Sequence, residues 1–291
     1  MNRVNTDYEG DPEYECFEEY VDSSTCAKAT AKSYRTTYRK LRNLLQKPIR
    51  ETAEETLIKI ITAAVENINS QQAMLNIAII VRECIYNMPT QQLKDQRTLN
   101  KSTVKESLQM RNKYIVLPEI TEFDDYIEDL FNKSKFREFI VNYLIRHHYV
   151  RNKDLMFHIV EKKSECDNIA NWMWLDRKNR RCVYFRNDYK TFCTYGPKET
   201  VITDEKFLTA VKRCFNIKVQ DVESRFFPIT MDPTKIGYYV QKLSFNQLGE
   251  SALLKIIIKH HLTDYKKIQE ISISRGTDTN TLLESYNISY K

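Results

Sequence analysis

Arg275-Gly276-Thr277-Asp278-Thr279-Asn280-Thr281-Leu282-Leu283-Glu284-Ser285-Tyr286, close to the C-terminus, is the stretch on which the reading of this chain turns. Its first half carries a Gly and small polar residues that favour a turn and a helix N-cap, and its second half has the make-up of a short helix ending in a Tyr. A phenol presented there is a nucleophile for phosphate, provided that cations gathered from elsewhere lower the cost of the phenolate. The competing reading is a last helix that docks Leu282, Leu283 and Tyr286 into the core. The rest of the chain has to supply the cations or withhold them.

Composition narrows the setting. The 291 residues suffice for two domains, and scarce Gly (5) and Pro (7) favour helix. The longest apolar run, residues 252–258, is interrupted by Lys255, and acidic sequence follows Met1, so neither a membrane span nor a signal peptide is expected. Seven Cys without a C-x-x-C pair, and five His with no metal-ligand spacing to them, suggest free thiols in an intracellular protein, with no metal and no cofactor.

The net charge of +6 conceals an asymmetry. Residues 1–24 hold eight carboxylates and one Arg, −7 in all, so that residues 25–291 carry +13. A basic body with an acidic arm implies a polyanion partner, duplex DNA being the simplest, and the arm could shield the basic surface in cis. Residues 1–24 read as a disordered arm. The helix expected over residues 23–46 has Tyr34, Tyr38, Leu41 and Leu45 on one stripe, and Lys28, Lys32, Arg35, Arg39, Lys40 and Arg42 on the others, with no carboxylate among residues 28–42. It is the strongest candidate for lying along a phosphate backbone. Further helices are expected from residue 51 or 52, over 71–87, and over 104–114, which completes a helical domain at 25–113.

Tyr114-Ile115-Val116-Leu117-Pro118-Glu119 reads as an extended link, placing a linker at 114–120 and a second domain at 121–291. In that domain two helices, capped at Thr121 and beginning near Lys135, precede a change of period. The runs 156–160, 172–175 and 181–186 are rich in β-formers, and 199–202 adds a further short run, which together suggest a small antiparallel three-stranded sheet. Helices resume at 204–215, 245–261 and 264–271. The fold class is thus α+β, mostly helical.

This order of elements resembles the tyrosine recombinases, or phage-integrase family, over residues 25–288. Three stretches carry the resemblance. His148-Tyr149-Val150-Arg151-Asn152-Lys153-Asp154-Leu155 is similar to the family's first box, which implies that Arg151 holds a scissile phosphate and Asp154 supports it. Tyr184-Phe185-Arg186-Asn187-Asp188-Tyr189-Lys190-Thr191 resembles the family's β-hairpin, whose lysine protonates the leaving 5′-hydroxyl. Lys190 is the best-placed counterpart, and Lys198 in a neighbouring turn could serve as well. In the C-terminal stretch Gly276 matches the family's Gly, Thr277 stands where a His or Trp is usual, and Tyr286 falls on the nucleophile.

The second box departs from the family. It should lie near Asn246-Gln247-Leu248-Gly249-Glu250-Ser251, and Gly249 occupies the place of the second Arg. Arg275, Lys255 and Lys242 are the cations that could substitute for it. Two functions follow from the resemblance: a site-specific recombinase or integrase that cleaves and rejoins DNA through a phosphotyrosine, or a catalytically inactive DNA-binding structural or regulatory protein on the same scaffold. Assembly on DNA as a dimer or tetramer is implied by the family. So is origin in a virus or mobile element, with a location in the nucleus or cytoplasm of a host cell, or in a virion.

Overall fold

The computed structural model describes residues 8, 10–24, 26, 28–218, 226–227 and 233–286. The chain divides into two compact units, Met1–Met110 and Arg111–Lys291. It is mostly helical with one small four-stranded sheet, an α+β chain.

The first unit contains α1 (Pro12–Ser23), α2 (Lys28–Leu45), α3 (Glu54–Ala64), α4 (Ile68–Ile79) and α5, which begins at Gln91 and continues to Tyr114. The expectation of a disordered arm is corrected here, because Pro12–Ser23 is a packed helix. Asp11 caps it by accepting from the Glu13 and Tyr14 amides, and Pro12 stands in the first turn, where a missing N–H costs nothing. The acidic composition masked an i, i+4 apolar pair, Phe17 and Val21, both buried. Phe17 stacks on Tyr38 of α2 with centroids 4.5 Å apart. Glu13 is buried among donors: Oε1 accepts from Tyr38 Oη at 3.1 Å and Ile49 N at 2.8 Å, and Oε2 from Arg50 N at 2.8 Å. Residues 1–7 and 9 of the expected arm lie outside the described residues.

α4 runs into a π-helical turn, Ile80–Ile85, rather than continuing as a regular helix to residue 87. α5 starts 13 residues before the expected position, immediately after Pro89 and Thr90, and buries Leu93 against the bundle. Its mixed polar sequence gave little apolar periodicity.

The second unit opens with α6 (Ile120–Asn132) and α7 (Phe136–His148). Glu119, not Thr121, caps α6, in a reciprocal box with Glu122. The sheet follows: β1 (Phe157–Val160), β2 (Asn171–Asp176), β3 (Arg181–Arg186), the short α8 (Phe192–Tyr195) and β4 (Lys198–Ile202). The sheet has four strands in the order β1-β2-β3-β4, and β1 pairs parallel with β2 while the other two pairings are antiparallel. The expectation of three antiparallel strands is therefore corrected. Residues 161–170 carry the chain back to the start of β2, a return that forces the parallel pairing.

α9 (Glu205–Lys218), α10 (Ile236–Leu243), α11 (Glu250–His260), α12 (Tyr265–Arg275) and α13 (Thr279–Tyr286) complete the unit. α10 was not foreseen. The helix expected from residue 245 begins at Glu250, because Asn246 and Gln247 both take positive φ. The core is built by the inner faces of the strands (Phe157, Ile159, Met173, Leu175, Tyr184), by α7 and by α11, with Leu282 of α13 buried in it and Tyr286 packed at its edge.

Candidate active site

Three separated segments of the second unit meet at one place. The first is the end of α7. Tyr149 closes that helix in a left-handed conformation, φ 55°, and the chain turns into Val150 and Arg151. Asp154, on the next short turn, accepts from the Arg151 amide at 3.0 Å, and its carboxylate lies 3.6 Å from Arg186 Nη1. The Tyr184 hydroxyl donates to the Asp154 carbonyl. Asp154 and Arg186 are both almost wholly buried. Burial raises the Asp154 carboxyl above its ordinary value, against the Arg151 amide and the Arg186 charge, which pull the other way. This carboxylate fixes the backbone from which the Arg151 side chain projects.

The Arg151 guanidinium donates to Thr277 Oγ1 at 2.7 Å. Its proton affinity is lowered first by desolvation and next by the charge of Arg275, while Asp154, Glu250 and Tyr286 act in the opposite sense. Arg151 thus touches Thr277, 126 positions away in the chain, and lies within electrostatic reach of Arg275 and Tyr286.

The second segment is the junction of α12 and α13. Gly276 caps α12 with φ 57°, a left-handed conformation that L side chains rarely adopt. A Cβ there would also meet Thr191 Oγ1 at 2.3 Å and the Tyr195 ring at 2.9 Å, so Gly is required both for the turn and for the close approach of α8. Ser272 ties the turn by donating to the Thr277 carbonyl. Arg275 points inward, 5% exposed, donating to the Tyr149 carbonyl at 3.1 Å and pairing with Glu250 at 2.5 Å.

The third segment is the start of α11. Gly249 caps it with an ordinary extended φ of −67°, and a Cβ placed there would meet nothing within 4 Å. The position that the recombinase pattern gives to an Arg is therefore sterically open. Glu250 follows in the first helical turn. Its second oxygen accepts from the Asn152 amide at 3.0 Å, so one carboxylate joins all three segments.

Of the lysines, Lys190 is exposed on the turn after β3. Lys198, the first residue of β4, reaches the C-terminal end of α12, donating to the Ile273 carbonyl at 2.6 Å and the Ser274 carbonyl at 3.0 Å. The rings of Tyr189 and Tyr195 flank it at 5.0 and 5.4 Å. Desolvation, then the nearby Arg186 charge, lowers Lys198 to about 8. An ammonium tuned toward neutrality is suited to giving up a proton near physiological pH.

Among the cations considered as replacements for the second Arg, Arg275 is the one whose charge presses on Arg151. Lys242 lies over the Tyr238 ring at 4.4 Å, and Lys255 is half-buried on α11. Arg186 was not expected as a site residue. Its burial at the end of a β-strand leaves no mark on the alternating pattern.

The cationic helix of the first unit is less available than its composition suggests. Arg35 pairs with Glu18 and Asp22 at 2.5 Å each, Arg39 donates to Tyr14 Oη at 2.7 Å, and Arg42 is buried against Asp11 and Glu13. The absence of carboxylates within residues 28–42 hid this, because the neutralising groups arrive from α1. Lys32 and Lys40 are exposed, and the Lys28 side chain lies outside the described residues. Among the described residues no group of three or more His, Cys, Asp or Glu is placed to hold a metal ion, and no helix is long and apolar enough to cross a membrane.

No protein-family model matches this chain, and no curated protein does. Among solved structures it is similar to one described as the crystal structure of XerA recombinase, at 13% identity, over 95% of this chain and 94% of that one, with a TM-score of 0.40.

Proposed function

We propose that the second unit holds a DNA phosphodiester between Arg151 and Arg275 and presents Tyr286 to it, in the manner of a tyrosine-type DNA strand transferase. The observation that carries this reading is the convergence of Arg151, Arg275, Thr277 and Tyr286 from segments far apart in sequence. In the proposed reaction Tyr286 releases its phenolic proton to solvent and its oxygen forms a bond to phosphorus as the bond to the 5′-oxygen breaks. That oxygen takes a proton from Lys198, and the phosphotyrosyl ester conserves the bond for rejoining. Thr277 orients Arg151, and the two arginines neutralise the charge that develops on the non-bridging oxygens. Lys190 becomes the secondary candidate for the proton donor. Duplex DNA is the partner, met by the exposed Lys32 and Lys40 and by the basic body, with self-association on the DNA.

A second reading, binding without cleavage, is favoured by one specific observation. Glu250 already occupies Arg275 with a buried carboxylate, which a phosphate would have to displace. Incubation with nicked suicide duplexes drawn from a random-site library, followed by selection of covalent protein–DNA adducts, tests both. Adducts abolished by Tyr286→Phe with unchanged non-covalent binding establish strand transfer. Tight duplex binding with no adduct from any site leaves the non-cleaving reading.

A further inference from the structure

The inner face of the sheet is core, but its outer face is aromatic. One cross-strand row runs His158, Trp172, Phe185 and Glu199, and the next runs Val160, Trp174, Val183 and Val201. Trp172, Trp174 and Phe185 stand on the two central strands and are only half-buried, while Val201 at the edge is 48% exposed. His158 lies against Trp172 with centroids 4.6 Å apart. Cross-strand pairing of these residues stabilises the sheet, yet it leaves two indoles and a phenyl ring partly open to solvent in one patch.

Two features make the face a prepared one. Each indole is pinned by its edge: Trp172 Nε1 donates to Asp167 Oδ1 at 3.0 Å, and Trp174 Nε1 to the Glu161 carbonyl at 3.1 Å. The polar edges are satisfied, and the ring positions are fixed. The face also carries its own cation. Lys163 Nζ stands 5.7 Å from the Trp174 ring and 5.9 Å from the Phe185 ring, where the phosphate between two bases laid on those rings would pass. Lys162 and Lys178 are exposed close by in sequence. Of the nearby carboxylates, Glu161 is taken by Arg177 and Asp167 by the Ile169 and Ala170 amides as well as the indole, while Glu165 and Glu199 are exposed at the margin of the face. A cleft of about 380 Å³ continues the platform past Phe185, between Lys163 and Lys198. Fixed aromatic rings on central strands with interleaved ammonium groups have the chemistry that takes unpaired bases and their phosphates.

We infer that the outer face of this sheet binds single-stranded polynucleotide by stacking bases on Trp172, Trp174 and Phe185, with Lys163 on the intervening phosphate. The inference does not depend on strand transfer, and it holds or fails on single strands alone.

The chain has two tryptophans, and both lie on this face, so intrinsic fluorescence reads the platform directly. The full chain is titrated at low salt with 12-nucleotide dT, with 12-nucleotide U, with an abasic sugar-phosphate strand of equal length and with a duplex. Quenching by the base-bearing strands is expected, together with at least tenfold weaker, unquenched binding of the abasic strand. Comparison of dT with U shows whether DNA or RNA is preferred. Phe185→Ala should weaken single-strand binding by about 5- to 150-fold, the range for one stacked base, and leave duplex binding unchanged. Lys163→Glu, a fully surface change, should weaken it too, and serves where Phe185→Ala disturbs folding. Equal affinity for abasic and base-bearing strands, binding without quenching, or indifference to both variants overturns the inference. So does the absence of binding by dT and U, which would leave the face to a protein partner.

Discussion

Glu250→Gln separates a structural role of Arg275 from a phosphate-binding one. Both Glu250 oxygens face donors: Arg275 Nη2 at 2.5 Å and the Asn152 amide at 3.0 Å. Gln has one acceptor oxygen, so its NH2 must turn toward one of two donors, and Arg275 is left buried with its charge unanswered. Breaking a buried ion pair costs about 3–5 kcal/mol. The lower end applies, since Arg275 keeps its bonds to the Tyr149 and Val150 carbonyls, giving about 3 kcal/mol. At about 2–4 °C per kcal/mol for a unit of this size, thermal unfolding of the second unit should fall by roughly 6–12 °C.

The same vacancy should accept an anion. Sulfate at about one hundred times its dissociation constant would return about 2.7 kcal/mol to the variant, and much less to the native chain, where Glu250 must first be displaced. Differential scanning calorimetry across a sulfate series reads both numbers. A loss under about 2 °C would show that the pair carries no buried charge of consequence. Sulfate raising native and variant transitions equally would show that Arg275 does not meet anions there.

The remaining expectations are more direct. Cleavage of a nicked substrate should be flat below about pH 8 and fall roughly tenfold per unit above it, because Lys198 donates only while protonated; a flat profile to pH 10 would remove it from the reaction. Gly249→Arg should fold normally, since a Cβ at Gly249 meets nothing within 4 Å, and should increase adduct yield by tenfold or more, on the order of what one added phosphate-binding cation supplies; an unchanged yield in a folded variant would refute the assignment of that position. Gly276→Ala should lower stability by about 2–4 kcal/mol from left-handed strain and overpacking against Thr191, measured by chemical denaturation, and native-like stability would mean the turn relaxes. Phe17→Ala should cost about 3–5 kcal/mol in the first unit, whereas a dispensable arm would show no loss.

The helices with a clean apolar stripe, α2, α6 and α7, were legible within a few residues, and so were the strand runs. What escaped was set by tertiary contacts. α1 hid its Phe17–Val21 pair inside an acidic composition, and α5 is long but weakly amphipathic. The break at Asn246 and Gln247 depends on backbone angles that an otherwise apolar run does not announce. At the candidate site, Arg151, Gly276 and Tyr286 were singled out through the family resemblance. The Arg275–Glu250 pair could only be suspected from one side, since nothing in Leu248-Gly249-Glu250 says which charge the carboxylate meets. Lys198 outranks Lys190 through burial, which sequence position does not encode.

The pairing of α1 with α2 has a consequence for the ionic atmosphere around DNA. A cation already neutralised within the protein displaces no condensed counterion when a phosphate arrives. With Arg35 and Arg42 paired to carboxylates of the α1 segment, the described cations of this helix left exposed for the exchange are Lys32, Arg39 and Lys40. The described cations' share of the slope of log K against log salt is then about −3, where all five of them unpaired would give about −4.5. If the chain binds DNA as proposed, this unit's contribution should therefore depend less on ionic strength than its cation count alone implies.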